Sequence, residues 1–174
     1  MEAIADSAGV TKPVVYACYP GKAELFEALL RREEERVLNA IAAALPSVGE
    51  LDDPEPVLVE GFTAFLHAVS QSPDAYRVIF LGEGGVNAAV ARRVRRGRQM
   101  QVDAVTSLAR GWLEGRGSAD EVERLARLVG YAVVGLAESG ARLLLSEPGA
   151  WTPETLGVEL GGLAVHGQAA LATR

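Results

Sequence analysis

The side chains with the clearest chemical potential lie close together near the start of the chain. Thr11 and Lys12 open a short helical segment, Tyr16 follows one turn later, and Tyr19 and Lys22 come just after it. Hydroxyl and ammonium groups can bind phosphate oxygens, and tyrosine hydroxyls can also reach base edges. This spacing predicts a surface that binds nucleic acid.

Two short helices must position these groups. Residues 2–8 are compatible with one helix, which Gly9 ends, and Thr11 is a suitable N-cap for a second helix that has Pro13 in its first turn. Two short helices joined by a tight glycine-containing turn form a helix-turn-helix, whose second helix enters the major groove of DNA. Because such turns also occur in other helical bundles, the motif alone does not establish DNA binding.

The remaining sequence is patterned for helices. Apolar residues recur at three- and four-residue steps, and they predict helices over about 22–45, 57–70, 72–81, 86–113, 119–145 and 153–172. No segment alternates convincingly as a strand does. The predicted fold class is all-α, with a head at residues 1–45 that includes a connecting helix, and a larger helical bundle at residues 46–174.

Composition argues against several classes of protein. The net charge is −6, so any contact with DNA must come from a local basic patch. One cysteine, Cys18, and two distant histidines form no disulfide or metal site. We see no paired catalytic cluster and no phosphate-binding loop, and we predict no catalytic residue, metal or cofactor. The N-terminus is unlike a signal peptide and no uncharged stretch is long enough to span a bilayer, which predicts a cytoplasmic protein without membrane contact.

Residues 4–26 resemble the start of the tetracycline-repressor (TetR) family. The matching elements are Ile4-Ala5, Ala8-Gly9-Val10, Thr11-Lys12, Val15-Tyr16, Tyr19-Pro20 and Lys22-Ala23-Glu24-Leu25-Phe26. The resemblance implies a homodimeric transcription regulator, a repressor that an unknown small molecule releases from its double-stranded DNA operator. The DNA-binding residues that it implies are Thr11, Lys12, Pro13, Val14, Tyr16, Tyr19 and Lys22. The family's head has three helices, and we expect the first of them to be absent here.

Two further sets of residues are expected in the body. The resemblance implies an apolar ligand cavity, and the candidates to line it are Phe62, Phe65, Leu66, Tyr76, Phe80, Gln99 and Met100. Small residues along the last two helices would let a second copy approach closely, so we predict a four-helix dimer interface there. Its candidate residues are Ala126, Gly130, Ala137, Ala141, Gly157, Gly161, Ala164 and Gln168.

Two other functions remain open from the sequence. A helical ligand-binding or interaction dimer that does not bind DNA, because its head is incomplete, would have the same body. A salt-dependent gel shift distinguishes that protein from a regulator. An enzyme that uses the body cavity is a third alternative, and the lack of a paired titratable cluster argues against it.

Overall fold

The protein is all-helical, as predicted. The computed structural model describes residues 1–44, 53–80 and 88–172, and within these ranges it contains eight helices and no strand. They are α1 (Glu2–Ala8), α2 (Lys12–Cys18), α3 (Lys22–Ala44), α4 (Pro54–Gln71), α5 (Pro73–Phe80), α6 (Ala88–Leu113), α7 (Ala119–Ser146) and α8 (Pro153–Ala172). The sequence predicts a linker over 46–56, of which residues 46–52 lie outside the described residues and 54–56 belong to α4. The glycines at 82, 84 and 85 also lie outside the described residues.

Local capping explains where two of the longer helices begin. At the start of α4, the Glu55 backbone N–H donates to Asp53 Oδ1 at 3.0 Å. At the start of α7, the Glu121 N–H donates to Ser118 Oγ and the Ser118 N–H donates to Glu121 Oε2. This reciprocal pair is a capping box, and it satisfies two backbone donors that the first helical turn leaves without partners. The same Ser118 hydrogen bond holds the pKa of the Glu121 carboxyl below its ordinary value.

The main core lies in the body, where α4 packs against α8 and α6 packs against α7. Glycines allow both pairs of helices to approach closely. A Cβ atom added at Gly130 in α7 would lie 2.8 Å from the Val102 carbonyl oxygen in α6. A Cβ atom added at Gly161 in α8 would lie 3.2 Å from Val59 Cα in α4. The contact at Gly130 is closer than real Cβ atoms approach, and a Cβ atom at Gly161 would also overlap Val59 Cγ2, so both helix pairs pack most closely with glycine at these positions.

This packing corrects the predicted dimer interface. Six of its eight residues are buried against other helices of the same chain: Ala126, Gly130, Ala141, Gly157, Gly161 and Ala164. Their small side chains serve contacts within the chain and are not presented to a second copy. Ala137 lines a cavity, described below, and the side chain of Gln168 lies outside the described residues.

Helix α7 is the most apolar long element. Among the described residues it is the one helix that could cross a membrane by length and composition alone. Val129, Val133 and Leu145 of α7 belong to the core. Core helices of globular proteins have the same length and composition, so this property alone assigns no membrane span.

Candidate nucleic-acid interface and ligand cavity

A glycine turn joins the two short N-terminal helices. Gly9 adopts the left-handed conformation at φ 65°, which residues with a Cβ rarely adopt. Its N–H donates to the Asp6 carbonyl at 3.2 Å, and the Val10 N–H donates to the Ala5 carbonyl at 3.0 Å. These two bonds close the end of α1 and direct the chain into α2, whose N-cap is Thr11. The turn predicted from the sequence is therefore formed.

Helix α2 buries one side chain and exposes its neighbours. Val15 is buried, whereas Tyr16 keeps 46% and Val14 47% of its surface exposed. Thr11, Lys12 and Pro13 are also exposed. The Thr11 hydroxyl makes no capping hydrogen bond, so it is not used to stabilise its own helix. The first turn of α2 therefore presents hydroxyl, ammonium and apolar groups to the outside.

The lysines of this surface are exposed, and the ion pair of Lys12 is weak. Lys12 Nζ lies 3.6 Å from Glu2 Oε2, and both side chains are about half exposed or more. An exposed pair of this kind is worth little, so a phosphate can replace the carboxylate at small cost. Lys22, at the start of α3, is exposed. Lys12 and Lys22 are the only lysines in the sequence. The other basic side chains, apart from the two histidines, are arginines.

Tyr19 differs from the other predicted contact residues. It is half-buried at the end of α2, where its N–H donates to the Val15 carbonyl at 2.9 Å. Lys12 and Tyr16 follow the period of one helical face, whereas Tyr19 is the C-cap of α2 and has an extended backbone at φ −140° and ψ 116°. The helical period therefore does not place Tyr19 on the face that Lys12 and Tyr16 share.

An apolar cavity of about 150 Å³ lies between α4, α6 and α7. Nearly all of its wall is aliphatic or aromatic. From α4 come Pro54, Val57, Leu58, Gly61, Phe62 and Phe65; from α6 come Gln101, Val105, Leu108, Ala109 and Trp112; and from α7 come Val129, Val133, Val134, Ala137 and Glu138. A cavity with this wall favours an apolar occupant that a few polar groups orient.

The structure places the predicted cavity residues in three different environments. Phe62 and Phe65 line the cavity, whereas Leu66 and Tyr76 are buried in the core outside its wall. Gln99 and Met100 are exposed. The prediction is wrong for these last two because residues 101, 105, 108, 109 and 112 form the lining face of α6, and Gln99 points about 200° away from Gln101. The side chain of Phe80 lies outside the described residues.

The cavity residues that the sequence did not identify share a helical face. Val105, Leu108 and Trp112 recur at three- and four-residue steps along α6, and Val133 and Ala137 do so along α7. The usable signal was this apolar periodicity. Residue type alone does not show which side chains share a helical face.

Gln101, Trp112 and Glu138 are the polar side chains that contribute to the wall. The Trp112 indole Nε1 is buried, has no hydrogen-bond partner in the described part of the chain and has almost no accessible surface. The Arg116 guanidinium, outside the wall, lies 4.3 Å from the centre of the Trp112 ring. Glu138 is paired with Arg98, whose Nε donates to Glu138 Oε1 at 2.8 Å. The wall therefore combines the Gln101 amide and one paired carboxylate with an otherwise apolar surface.

A buried polar contact connects the long helix of the head to the body. Glu33 in α3 has only 2% of its side chain exposed, and its carboxylate is paired with Arg32 and Arg36. Arg36 also donates to Ser72 Oγ at the start of α5. Burial raises the pKa of the Tyr76 hydroxyl above its ordinary value, and the charge of Glu33 adds to that effect.

The Tyr76 ring continues this connection to the cavity. It packs edge-on against Phe65, with the ring centres 6.4 Å apart, and Phe65 is part of the cavity wall. Tyr76 therefore packs against the cavity wall and lies close enough to Glu33 in α3 for the charge of that carboxylate to act on its hydroxyl.

The outer faces of α7 and α8 carry large apolar side chains. Leu128 and Tyr131 on α7 and Val158 and Leu163 on α8 are exposed by 41–62%. A Cβ atom added at Gly135 or Gly162 would meet nothing within 4 Å, so the surface around these glycines is open. Tyr131 also contacts α6, where Gln99 Oε1 accepts its hydroxyl at 3.2 Å and Arg98 lies 5.7 Å from its ring centre. Leu128, Val158 and Leu163 keep about half of their surface or more exposed.

Comparison with known proteins identifies relatives of this chain. Residues 1–29 match a family described as bacterial regulatory proteins, tetR family. The chain is 32% identical over 146 residues to the HTH-type transcriptional activator FasR of Mycolicibacterium smegmatis. That alignment covers 84% of this chain and 63% of FasR, so the chain spans less than two thirds of the relative's length.

A solved structure shows a similar arrangement of helices. It is a crystal structure described as that of a transcriptional regulator from Pseudomonas aeruginosa PAO1. The two chains superpose with a TM-score of 0.63 at 25% identity, and the match covers 96% of this chain and 78% of the other.

Proposed function

The chain belongs to the tetR family of bacterial regulatory proteins, and from that premise we propose that it is a transcription regulator that binds double-stranded DNA as a homodimer. The observation that carries the proposal is the exposed first turn of α2. There Thr11, Lys12 and Tyr16 are exposed after a formed glycine turn. We propose residues 1–45 as the DNA-binding unit and residues 46–174 as the ligand-binding and dimerisation unit.

The proposed DNA contacts divide by chemistry. Lys12 and Lys22 pair with phosphates, and Thr11 and Tyr16 donate hydrogen bonds to phosphate oxygens or base edges. Pro13 and Val14 lie close to thymine methyl groups, and Tyr19 adds a contact at the rim of the head. Phosphate contacts fix the position of the protein on DNA, so the lysines govern affinity, and the first turn of α2 governs sequence preference.

We propose that the outer faces of α7 and α8 form the dimer interface, in place of the small residues first predicted. Leu128, Tyr131, Val158 and Leu163 supply apolar area, and open space at Gly135 and Gly162 allows close approach of a second backbone. Permanent homodimers usually bury more than about 2,000 Å² in total. Such a dimer would present two heads to half-sites about 34 Å apart, one turn of DNA.

The proposed regulation links the cavity to the head. An occupant that moves Phe65 would act through Tyr76 and Glu33 on α3, whose first residue is Lys22. Coupling of this kind typically changes DNA affinity by about 1–3 kcal/mol. FasR is named an activator, whereas the sequence predicted a repressor. Either action begins with the same DNA-bound dimer, and repression stays a prediction.

Selection from genomic DNA followed by amine acetylation tests the proposal. The purified protein selects duplexes, and the reactivity of its two lysines is then measured by mass spectrometry with and without the selected duplex. We expect protection of Lys12 and Lys22 by the selected duplex and less protection by a shuffled one. Failure to enrich any sequence, with both lysines equally reactive, would favour the alternative of a helical dimer that does not bind DNA.

A further inference from the structure

We propose that one exposed face of α6 binds a short acidic segment of another protein that also carries an apolar side chain. The face consists of Arg92, Arg95 and Arg96, with Met100 one turn further along the helix. These side chains recur at three- and four-residue steps, so they share one side of α6. We call this set the basic face. It lies opposite the side of α6 that lines the cavity.

The arginines of the basic face have no acidic partner in the chain. Arg92, Arg95 and Arg96 are exposed, and none of them forms an ion pair with another residue that the structure describes. Two other arginines of the same helix are paired with acids of α7, namely Arg98 with Glu138 and Arg110 with Glu123. The first turn of α6 contains no acidic residue. The basic face can therefore bind carboxylates that the described chain does not supply.

The spacing of these arginines disfavours α6 itself. Arg92 is three residues from Arg95 and four from Arg96, and like charges at these spacings repel each other on a helix. The whole chain has a net charge of −6, so the basic face is a local feature and does not reflect a basic composition. Carboxylates of a partner would relieve this repulsion, and each guanidinium can bind a carboxylate through two hydrogen bonds. An acidic partner is therefore complementary in charge.

Met100 favours a protein over a nucleic acid as the partner. Its side chain is 49% exposed and lies one turn after Arg96. Methionine and arginine are both enriched at protein interfaces, and the flexible thioether adapts to apolar side chains of different shapes. A phosphate backbone mainly offers charged oxygens. Asp103 follows on the same side of α6, where it accepts from Gln99 at 2.8 Å, so the basic stretch ends there and the acidic part of the partner is short.

A pair of synthetic peptides tests this inference on the whole chain without DNA. One is an alanine-based helix with three glutamates at the spacing of the three arginines and a leucine one turn later. The other has glutamines in place of the glutamates. Fluorescence anisotropy should show about tenfold tighter binding of the glutamate peptide, the combined effect of three exposed ion pairs. This preference should shrink as salt is added, because salt screens exposed charges.

Two matched double variants assign the binding to the basic face. Arg95→Gln/Arg96→Gln should lose the preference for the glutamate peptide. Arg124→Gln/Arg127→Gln removes the same charge from two exposed arginines of α7, each of which lies near a glutamate of that helix. This control should keep the preference, because those arginines already have acidic neighbours.

A further variant tests the apolar part of the partner. A glutamate peptide with alanine in place of its leucine should bind the wild type more weakly than the original peptide does. Met100→Ser should bind these two peptides equally and should keep the preference for glutamate over glutamine. Loss of the preference for glutamate in Met100→Ser, or an unchanged advantage of leucine, would contradict the role assigned to Met100.

The inference is overturned if the glutamate and glutamine peptides bind equally, or if both double variants lose the preference. It is also overturned if a shuffled DNA duplex binds Arg95→Gln/Arg96→Gln more weakly than the wild type, since the basic face would then be a DNA-binding surface. A monomeric Arg95→Gln/Arg96→Gln beside a dimeric wild type in sedimentation would place the face in the dimer interface instead. The peptide measurements contain no DNA, so failure of the DNA-binding proposal leaves their outcome unaffected.

Discussion

Replacing Gly130 with alanine should destabilise the fold, although alanine is the better helix former. The new Cβ would lie 2.8 Å from the Val102 carbonyl oxygen and 3.3 Å from the Thr106 amide nitrogen, and it would also meet Thr106 Oγ1. The first two are backbone atoms, so α7 must move away from α6. Overpacking of this kind costs about 1–3 kcal/mol, and the gain in helix propensity of about 1 kcal/mol offsets part of it.

Gly111→Ala is the matched control, because it gains helix propensity in α6 without any contact within 4 Å. The difference in unfolding free energy between the two variants isolates the overpacking cost, about 1–3 kcal/mol. For a chain of this size each kcal/mol shifts Tm by about 2–4 °C, so Gly130→Ala should melt about 2–12 °C below Gly111→Ala. Thermal unfolding at two protein concentrations provides the measurement.

Two outcomes would refute this reasoning. Equal stability of the two variants would mean that α6 and α7 are not in close contact at Gly130. A loss of stability accompanied by dissociation in sedimentation, and diminishing at high protein concentration, would place Gly130 in the dimer interface, as the sequence first predicted. The packing within the chain predicts the same loss of Tm at both concentrations.

Three further predictions address the N-cap of α7, the contact of Glu33 between α3 and the body, and the proposed dimer interface. Ser118→Ala should cost about 1 kcal/mol in urea unfolding at pH 7, while the exposed Ser107→Ala should be neutral. The Ser118 N–H and, at 2.8 Å, the Ser118 hydroxyl both donate to Glu121 Oε2 and lower its folded pKa. Alanine keeps the N–H and loses the hydroxyl. The contribution of the hydroxyl is present above the unfolded pKa of Glu121 and is lost as pH falls through the folded pKa, so this part of the Ser118→Ala deficit should disappear at acid pH. Glu33→Gln should weaken the effect on DNA affinity of any compound found to bind the cavity, without changing the binding of that compound, whereas exposed Glu35→Gln should change neither; equal responses of both variants would contradict the proposed regulation. Leu163→Glu should give a monomer in sedimentation at micromolar concentration, whereas Ser107→Glu should stay dimeric; a monomeric wild type would refute the dimer.

The sequence predicted the helices well because capping and periodicity are local properties. Ser118 and the first-turn Pro153 mark the starts of α7 and α8 within a residue or so of their positions in the structure. Helix α4 begins earlier than its apolar pattern, at Pro54, because Asp53 supplies the N-cap. The helix-turn-helix was predictable for the same reason, since Gly9 and Thr11 are local signals.

It was harder to predict which helix packs against a given helix face. A small residue such as Gly130 in α7 or Gly157 in α8 allows another helix to approach closely, either within the chain or between chains. The periodicity of the sequence does not say which helix packs there. The cavity posed the same problem. Its wall depends on which faces of α4, α6 and α7 converge, so the sequence predicted Phe62 in the wall but not Trp112.

The most direct test of the account measures DNA binding by α2 and its neighbouring lysine. Fluorescence anisotropy with a selected duplex, over a series of salt concentrations, compares the wild type with Lys12→Ala and Lys22→Ala. Arg92→Ala, an exposed cation of α6, is the control. The account predicts that each lysine variant binds more weakly and lowers the slope of log K against log salt by about one phosphate, while the control matches the wild type. Unchanged affinity and salt slope in the double variant Lys12→Ala/Lys22→Ala would contradict the central claim.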